Sequence, residues 1–165
     1  MNFQIGDSVV HWSYGLGQII GLEERAVAGE NRLYYEVKIQ NFSVWVPADS
    51  RLASRLRWPT SARAFKKLFA VLCGPAGTLS GDRHERKSQL HTKMAGGEAK
   101  AICQVIRDLT TLQQEKSLNY DDKSTLQRAR TLLLGEWGHA LEMPAAQAEA
   151  GLYKLLTQPS VPVAG

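Results

Sequence analysis

A series of short strand-like runs between Gln4 and Pro47 limits what this chain can fold into more than any other feature. The runs are Gln4 to Trp12, Tyr14 to Gly21, Arg32 to Ile39 and Phe42 to Pro47, each rich in β-branched or aromatic residues and bounded by Gly, Asn or Pro. Consecutive strands joined by tight turns have this composition. Arg32 to Ile39 alternates with period two, which puts Leu33, Tyr35, Val37 and Ile39 on one face. Across the Gln40-Asn41 turn, Phe42, Val44 and Val46 form the matching face, and Trp45 points outward. So short a meander buries its apolar face only by curling into a small barrel or by docking on a neighbour.

The remainder reads as helix. Ala48 to Arg57 is a connector with room for one more short strand, and Trp58-Pro59-Thr60-Ser61 supplies a helix start. Phe65, Leu68, Phe69 and Leu72 keep helical spacing until Gly74-Pro75. Asp82-x-x-Glu85 caps a second helix that runs to Ala95 and buries only a narrow stripe of Leu90 and Met94. A third helix from Glu98 to Lys116 carries Ile102, Val105, Ile106, Leu109 and Leu112. A fourth starts at Asn119, and a fifth covers Ala145 to Leu156 beyond the break at Pro144. The expected class is therefore α+β, a small SH3/Tudor-like β-barrel (residues 1–58) followed by a compact five-helix domain (59–157). Residues 158–165 are rich in Pro, Val and Gly and read as a disordered tail.

The 165 residues carry a net charge of +4, and its distribution matters more than its size. Residues 1–59 hold six Lys/Arg and six Asp/Glu, so the whole excess lies in the helical part. Between Arg83 and Arg107, six basic residues face only Glu85 and Glu98, a field suited to an anionic partner. No apolar run is long enough to cross a bilayer and no signal peptide opens the chain. Cys73 and Cys103 read as reduced core thiols, so the expected compartment is the cytoplasm.

Catalytic and cofactor patterns are incomplete. Gly15-x-Gly17 lacks the third glycine of a phosphate loop and no long helix follows, so it reads as a hairpin turn. His84-Glu85 has Ser88 where a zinc protease needs its second histidine, and His84 with His91 lacks a third ligand. The pairs Glu23-Glu24 and Asp121-Asp122 lie in a strand-turn context and in a helix's first turn, where the dipole favours carboxylates. Trp12, Tyr14, Tyr34 and Trp45 could form a cage for a methylated ammonium, or serve as core and contact surface. The reading is a protein that is not an enzyme and has no cofactor, no metal and no small-molecule substrate. Its sharpest candidate is the cationic set Arg83, Arg86, Lys87 and Lys93, spaced to meet a phosphate backbone.

Several motifs resemble one family. Gly6-Asp7-x-Val9-Val10, Tyr14-Gly15-x-Gly17, the turn Arg25 to Glu30, Tyr34-Tyr35-x-Val37 and Val44-Trp45-Val46-Pro47 look like the polymerase-interacting domain of CarD/CdnL regulators, a module shared with the transcription-repair coupling factor. Arg107-Asp108-Leu109, Lys116-x-Leu118, Lys123 and Ala129-Arg130-x-Leu132-Leu133-x-x-Glu136 are similar to that family's helical domain. The resemblance runs from about residue 2 to about residue 157, and no helicase motif accompanies it.

The resemblance implies a regulator whose barrel docks on the β subunit of bacterial RNA polymerase. Its helical domain would meet promoter DNA at the upstream bubble edge and stabilise the open complex, and polymerase would hold the protein at the nucleoid. Arg25, Val27, Trp45 and Pro47 are the implied polymerase-binding residues, and Arg83, Arg86, Lys87 and Lys93 the implied DNA contacts. Family members place a tryptophan wedge near the start of the second helix, where this chain has Asp82, Arg83 and His84. An indole can enter a base step and an arginine cannot, so weaker open-complex stabilisation is expected. The alternative is a protein-binding module that never touches DNA.

Overall fold

A computed structural model of the chain describes residues 2–158. The chain divides into two compact units, with the boundary between Pro59 and Thr60. The expected disordered tail, apart from Gln158, lies outside the described residues.

The first unit is a five-stranded antiparallel sheet: β1 (Ser8–His11), β2 (Gly15–Val27), β3 (Glu30–Ile39), β4 (Phe42–Pro47) and, after a single 3-10 turn at Leu52–Ser54, β5 (Leu56–Arg57). In space the order is β4-β3-β2-β1-β5. Leu56 from one edge and Val46 from the other share a core with Phe3, Val9, Ile19, Tyr35, Val37, Ile39 and Leu52. Edge strands can share one core only if the sheet curls, which is how a short meander removes its apolar face from water. The connector thus supplies the strand that completes the curl.

The alternating face of β3 is confirmed for Tyr35, Val37 and Ile39, all buried. Leu33 and Phe42, expected on the same inner face, are 42% and 46% exposed. Leu33 stands on the part of the ribbon beyond the buried positions of β3, whereas Phe42, paired with the buried Ile39, sets its ring edge-on to the exposed Tyr14. The β2–β3 hairpin turns at Ala28-Gly29 with φ of 52° and 81°, the doubly positive pattern that matches strand twist. Gly17 has a different reason to be glycine. A Cβ there would lie 2.8 Å from the Lys38 carbonyl oxygen and 2.9 Å from a Val37 methyl carbon.

The second unit holds five helices, α1 (Ala62–Leu72), α2 (Arg83–Met94), α3 (Ala99–Glu115), α4 (Tyr120–Ala140) and α5 (Ala145–Thr157). Their caps follow the local chemistry. Ser61 accepts from the Ala64 N–H, Asp82 from the Glu85 N–H and Asn119 from the Asp122 N–H. The core is one cluster fed by every helix, with Phe65, Leu72, Ile106, Leu109, Leu133 and Leu152 almost fully removed from solvent. Burial pushes the Cys103 thiol up to about 12, so it remains a small apolar side chain.

Carboxylates fix the polar joints of this unit. Glu136 on α4, 2% exposed, accepts the Thr60 N–H at 2.8 Å and so ties the chain ahead of α1 to the bundle. Asp108 on α3 accepts from Gly77 N–H and Arg107 Nε at 2.8 and 2.9 Å, which pins the loop before α2. Each bond satisfies a buried acceptor that would otherwise cost stability.

Candidate functional site

On the first unit, strand register decides which side chains share a face. Glu36 pairs with Trp45, Tyr34 with Pro47 and Glu23, and Arg25 with Arg32. Alternation therefore sets Arg25, Tyr34, Trp45 and Pro47 on the outer face of the β2–β3–β4 ribbon. There the Arg25 guanidinium carbon lies 3.9 Å from the centre of the Trp45 ring. Arg25 is exposed and Trp45 half-buried, so the indole carries a flat cation over it at the surface. Val27 shares the β2 side of that face but lies at the hairpin tip, opposite Glu30. β4 is a sheet edge, and its pairing with β3 turns the backbone groups of alternate residues outward. A groove of about 550 Å³ next to this face is lined by Arg32, Leu33, Pro47, Asp49, Arg51 and Arg55.

The four aromatics considered for an ammonium cage do not converge. Trp12 and Tyr14 contact His11, and Tyr14 meets Phe42, whereas the Trp45 ring is covered by Arg25.

On the second unit the cationic set does not form one surface, and Arg86 is a correction. It is 4% exposed, and its Nε and Nη2 bind both Asp122 carboxylate oxygens at 2.9 to 3.1 Å. Its Nη1 donates to the Ser80 carbonyl at 3.1 Å. A guanidinium with these donors spent inside the protein cannot meet a phosphate. Lys87 reaches Asp121 on α4 at 3.5 Å, and Lys93 reaches Asp108 on α3 at 3.8 Å. With about 100° of turn per residue, Lys87 and Lys93 stand roughly 120° apart, flanking the buried stripe of Arg86, Leu90 and Met94. The side of α2 facing away from the bundle carries His84, Glu85, Ser88 and Thr92 instead, all exposed. Arg83 is exposed at the helix start, between two carboxylates: Asp82 and Glu85. The backbone N–H of Glu85 holds the Asp82 carboxyl below the usual range, so that end of the helix already has its anion.

The partners Asp122, Asp121 and Asp108 are the functional surprise. A pair 36 residues apart leaves no local trace, but the stripe does. Arg86, Leu90 and Met94 follow i, i+4, i+8 spacing, which already seats Arg86 on the buried side. Elsewhere, Lys123 and Arg130 on α4 make no ion pair among the described residues. They line a shallow groove of about 360 Å³ with Gln113, Gln127, Thr131 and Glu149. Among the described residues no group of three or more His, Cys, Asp or Glu is arranged to hold a metal, and no helix is long and apolar enough to cross a membrane.

Two family models match the chain, in the same order as the two units. Residues 3–56 match the CarD-like/TRCF RID domain and residues 67–153 match the CarD C-terminal domain. The chain belongs to the CarD/CdnL family of transcription regulators. It is also similar to a protein of Bacillus subtilis (strain 168) named "Putative transcription factor YdeB", at 31% identity over 137 residues. That alignment covers 81% of this chain and 89% of the relative. A CarD-like member with an RID-type sheet and five helices is an α+β protein of the transcription apparatus.

Proposed function

We propose that this CarD-like chain is a promoter-acting regulator that docks on the β subunit of bacterial RNA polymerase through Arg25, Val27, Trp45 and Pro47. The observation that carries the docking half is the Arg25–Trp45 stack. An aromatic and an arginine presented together on a sheet face are the residue types that interface hot spots favour. The open β4 edge beside them supports the same reading, since its backbone groups can extend the sheet into a partner.

The helical unit meets promoter DNA near the upstream bubble edge and stabilises the open complex. With Arg86 buried on Asp122, and Lys87 and Lys93 each beside a carboxylate, Arg83 and the α4 pair Lys123 and Arg130 are the cations proposed to meet phosphates. Intrinsic DNA affinity is then weak, and polymerase compensates by holding the same chain close to the promoter. Without an indole at the start of α2, open complexes are stabilised less than by wedge-bearing relatives.

The neutralised cations around α2 also favour a second reading, a polymerase-binding module with no DNA contact. Two measurements separate the readings. The isolated β subunit retains the chain in a pull-down and loses it on Arg25→Glu; no retention of the wild type removes the docking assignment. With polymerase present, association with a forked promoter fragment weakens as salt rises, and weakens further on Lys123→Glu with Arg130→Glu. Docking without any salt-dependent DNA association establishes the module reading.

A further inference from the structure

The barrel end opposite in character to the Arg25 face is organised by one imidazole. His11 ends β1, where it pairs with Gly15 and Leu56, and is followed by the three-residue link Trp12, Ser13 and Tyr14. Its Nδ1 accepts two backbone N–H groups, from Ser13 and Tyr14, each at 3.1 Å. The ring is 7% exposed and stacks on the Tyr14 ring with centres 5.0 Å apart. Tyr14 in turn meets Phe42 edge-on at 5.1 Å. Trp12, Tyr14 and Phe42 are all exposed, so a single buried ring holds in place an aromatic surface.

We propose that His11 is a proton-operated latch: the neutral ring closes the Trp12-Ser13-Tyr14 turn, and protonation opens it and releases the aromatic surface. Two N–H groups pointing at Nδ1 require that nitrogen to be bare, with the ring's one proton on Nε2. A second proton has only Nδ1 to occupy, where it would face both N–H groups and cancel both hydrogen bonds.

The surroundings offer the imidazolium little. The neighbouring strand β5 contributes Arg57, and Arg55 just before it accepts the Trp12 N–H on its carbonyl. The part of β2 next to the turn has no charge before Glu23, the turn itself has only Tyr14, and beyond Phe42 the nearest charge on β3 is Lys38 opposite Ser43. Asp7 lies at the far end of β1, where its carboxylate accepts the Gln4 N–H. Burial holds the ring below its ordinary value of 6.5. The folded chain thus binds fewer protons than the unfolded one. The stability contributed is fully present above the ordinary imidazole value, declines below it, and is lost as the pH falls through the lower value of the folded ring.

Proton and nitrogen NMR of the full chain, titrated from about pH 7.5 to about 4.5, tests the latch. His11→Asn provides the control, because the Asn Oδ1 occupies the place of Nδ1 and accepts without titrating. In the wild type, the Ser13 and Tyr14 amide signals should move in step with the His11 ring. At the acid end, those amides should exchange about tenfold faster than in His11→Asn at the same pH. Amide signals that stay still while the ring titrates overturn the proposal, as does a ring that stays neutral throughout. So does an identical response in His11→Asn.

Discussion

The sheet unit and the helical unit both display arginine, but they use it in opposite directions. Arg25 extends over an indole at the surface and has no carboxylate partner among the described residues, so its charge is available to an outside group. Arg86 turns inward onto Asp122, and its two neighbours in the cationic set lean on Asp121 and Asp108. The unit with zero net charge offers its cation, whereas the unit with the whole excess has consumed several of its own. Net charge counts residues, but recognition depends on what is left after internal pairing.

The largest test of this contrast is stability. Asp122→Ala leaves the Arg86 guanidinium buried without a counter-charge, and loss of one partner of a buried pair costs about 3–5 kcal/mol. Urea unfolding should show that loss, while Arg25→Ala in the same assay should change little. A double replacement, Arg86→Met with Asp122→Leu, should recover most of it, because apolar side chains of similar volume fill the site without desolvating charge. If Asp122→Ala unfolds at the wild-type midpoint, Arg86 is free to leave the core and the correction made for it fails.

How much of this was legible follows the range of the interaction concerned. Strand alternation, Ser61, Asp82 and Asn119 caps and the helix breaks are local signals, and the structure has them in those places. The Arg25–Trp45 contact needed one more step, since alternation gives the shared face but not the ring contact. The burial of Arg86 was legible in its stripe with Leu90 and Met94, but its partner was hidden, because Asp122 reads locally as a first-turn carboxylate that complements the dipole. Nothing near it in sequence announces a guanidinium from another helix. Leu33 and Phe42 show the limit of periodicity from the other side, as it gives the direction of a side chain but not the depth of protein beneath it.

An intermediate effect is expected at Asp108. Its buried carboxylate receives Gly77 N–H, Arg107 Nε and, at longer range, the Lys93 ammonium. Asp108→Asn keeps an acceptor for Gly77 but removes the charge the two cations face. Hydrogen bonds to charged groups are worth about 1.5–3 kcal/mol, so the unfolding free energy should fall by that order, read from the urea midpoint at constant slope. The same substitution frees Lys93, which sharpens the comparison. If DNA association rises in Asp108→Asn, internal pairing is what withholds that lysine from phosphate.

The smallest stability effect is expected at the contact proposed to matter most for docking. Cation–π pairs at exposed sites contribute about 0.5–1 kcal/mol. A double-mutant cycle with Arg25→Ala and Trp45→Ala should therefore give a coupling of that size in unfolding. Binding to the isolated β subunit should respond far more, because in an interface the same two groups are desolvated and already ordered. Truncating such an anchor costs about 2 kcal/mol or more, close to a thirtyfold loss of affinity. The two measurements must diverge for the contrast to hold. If the unfolding coupling matches or exceeds the loss in binding, Arg25 is a structural prop for Trp45, and its charge is spent within the chain just as that of Arg86 is.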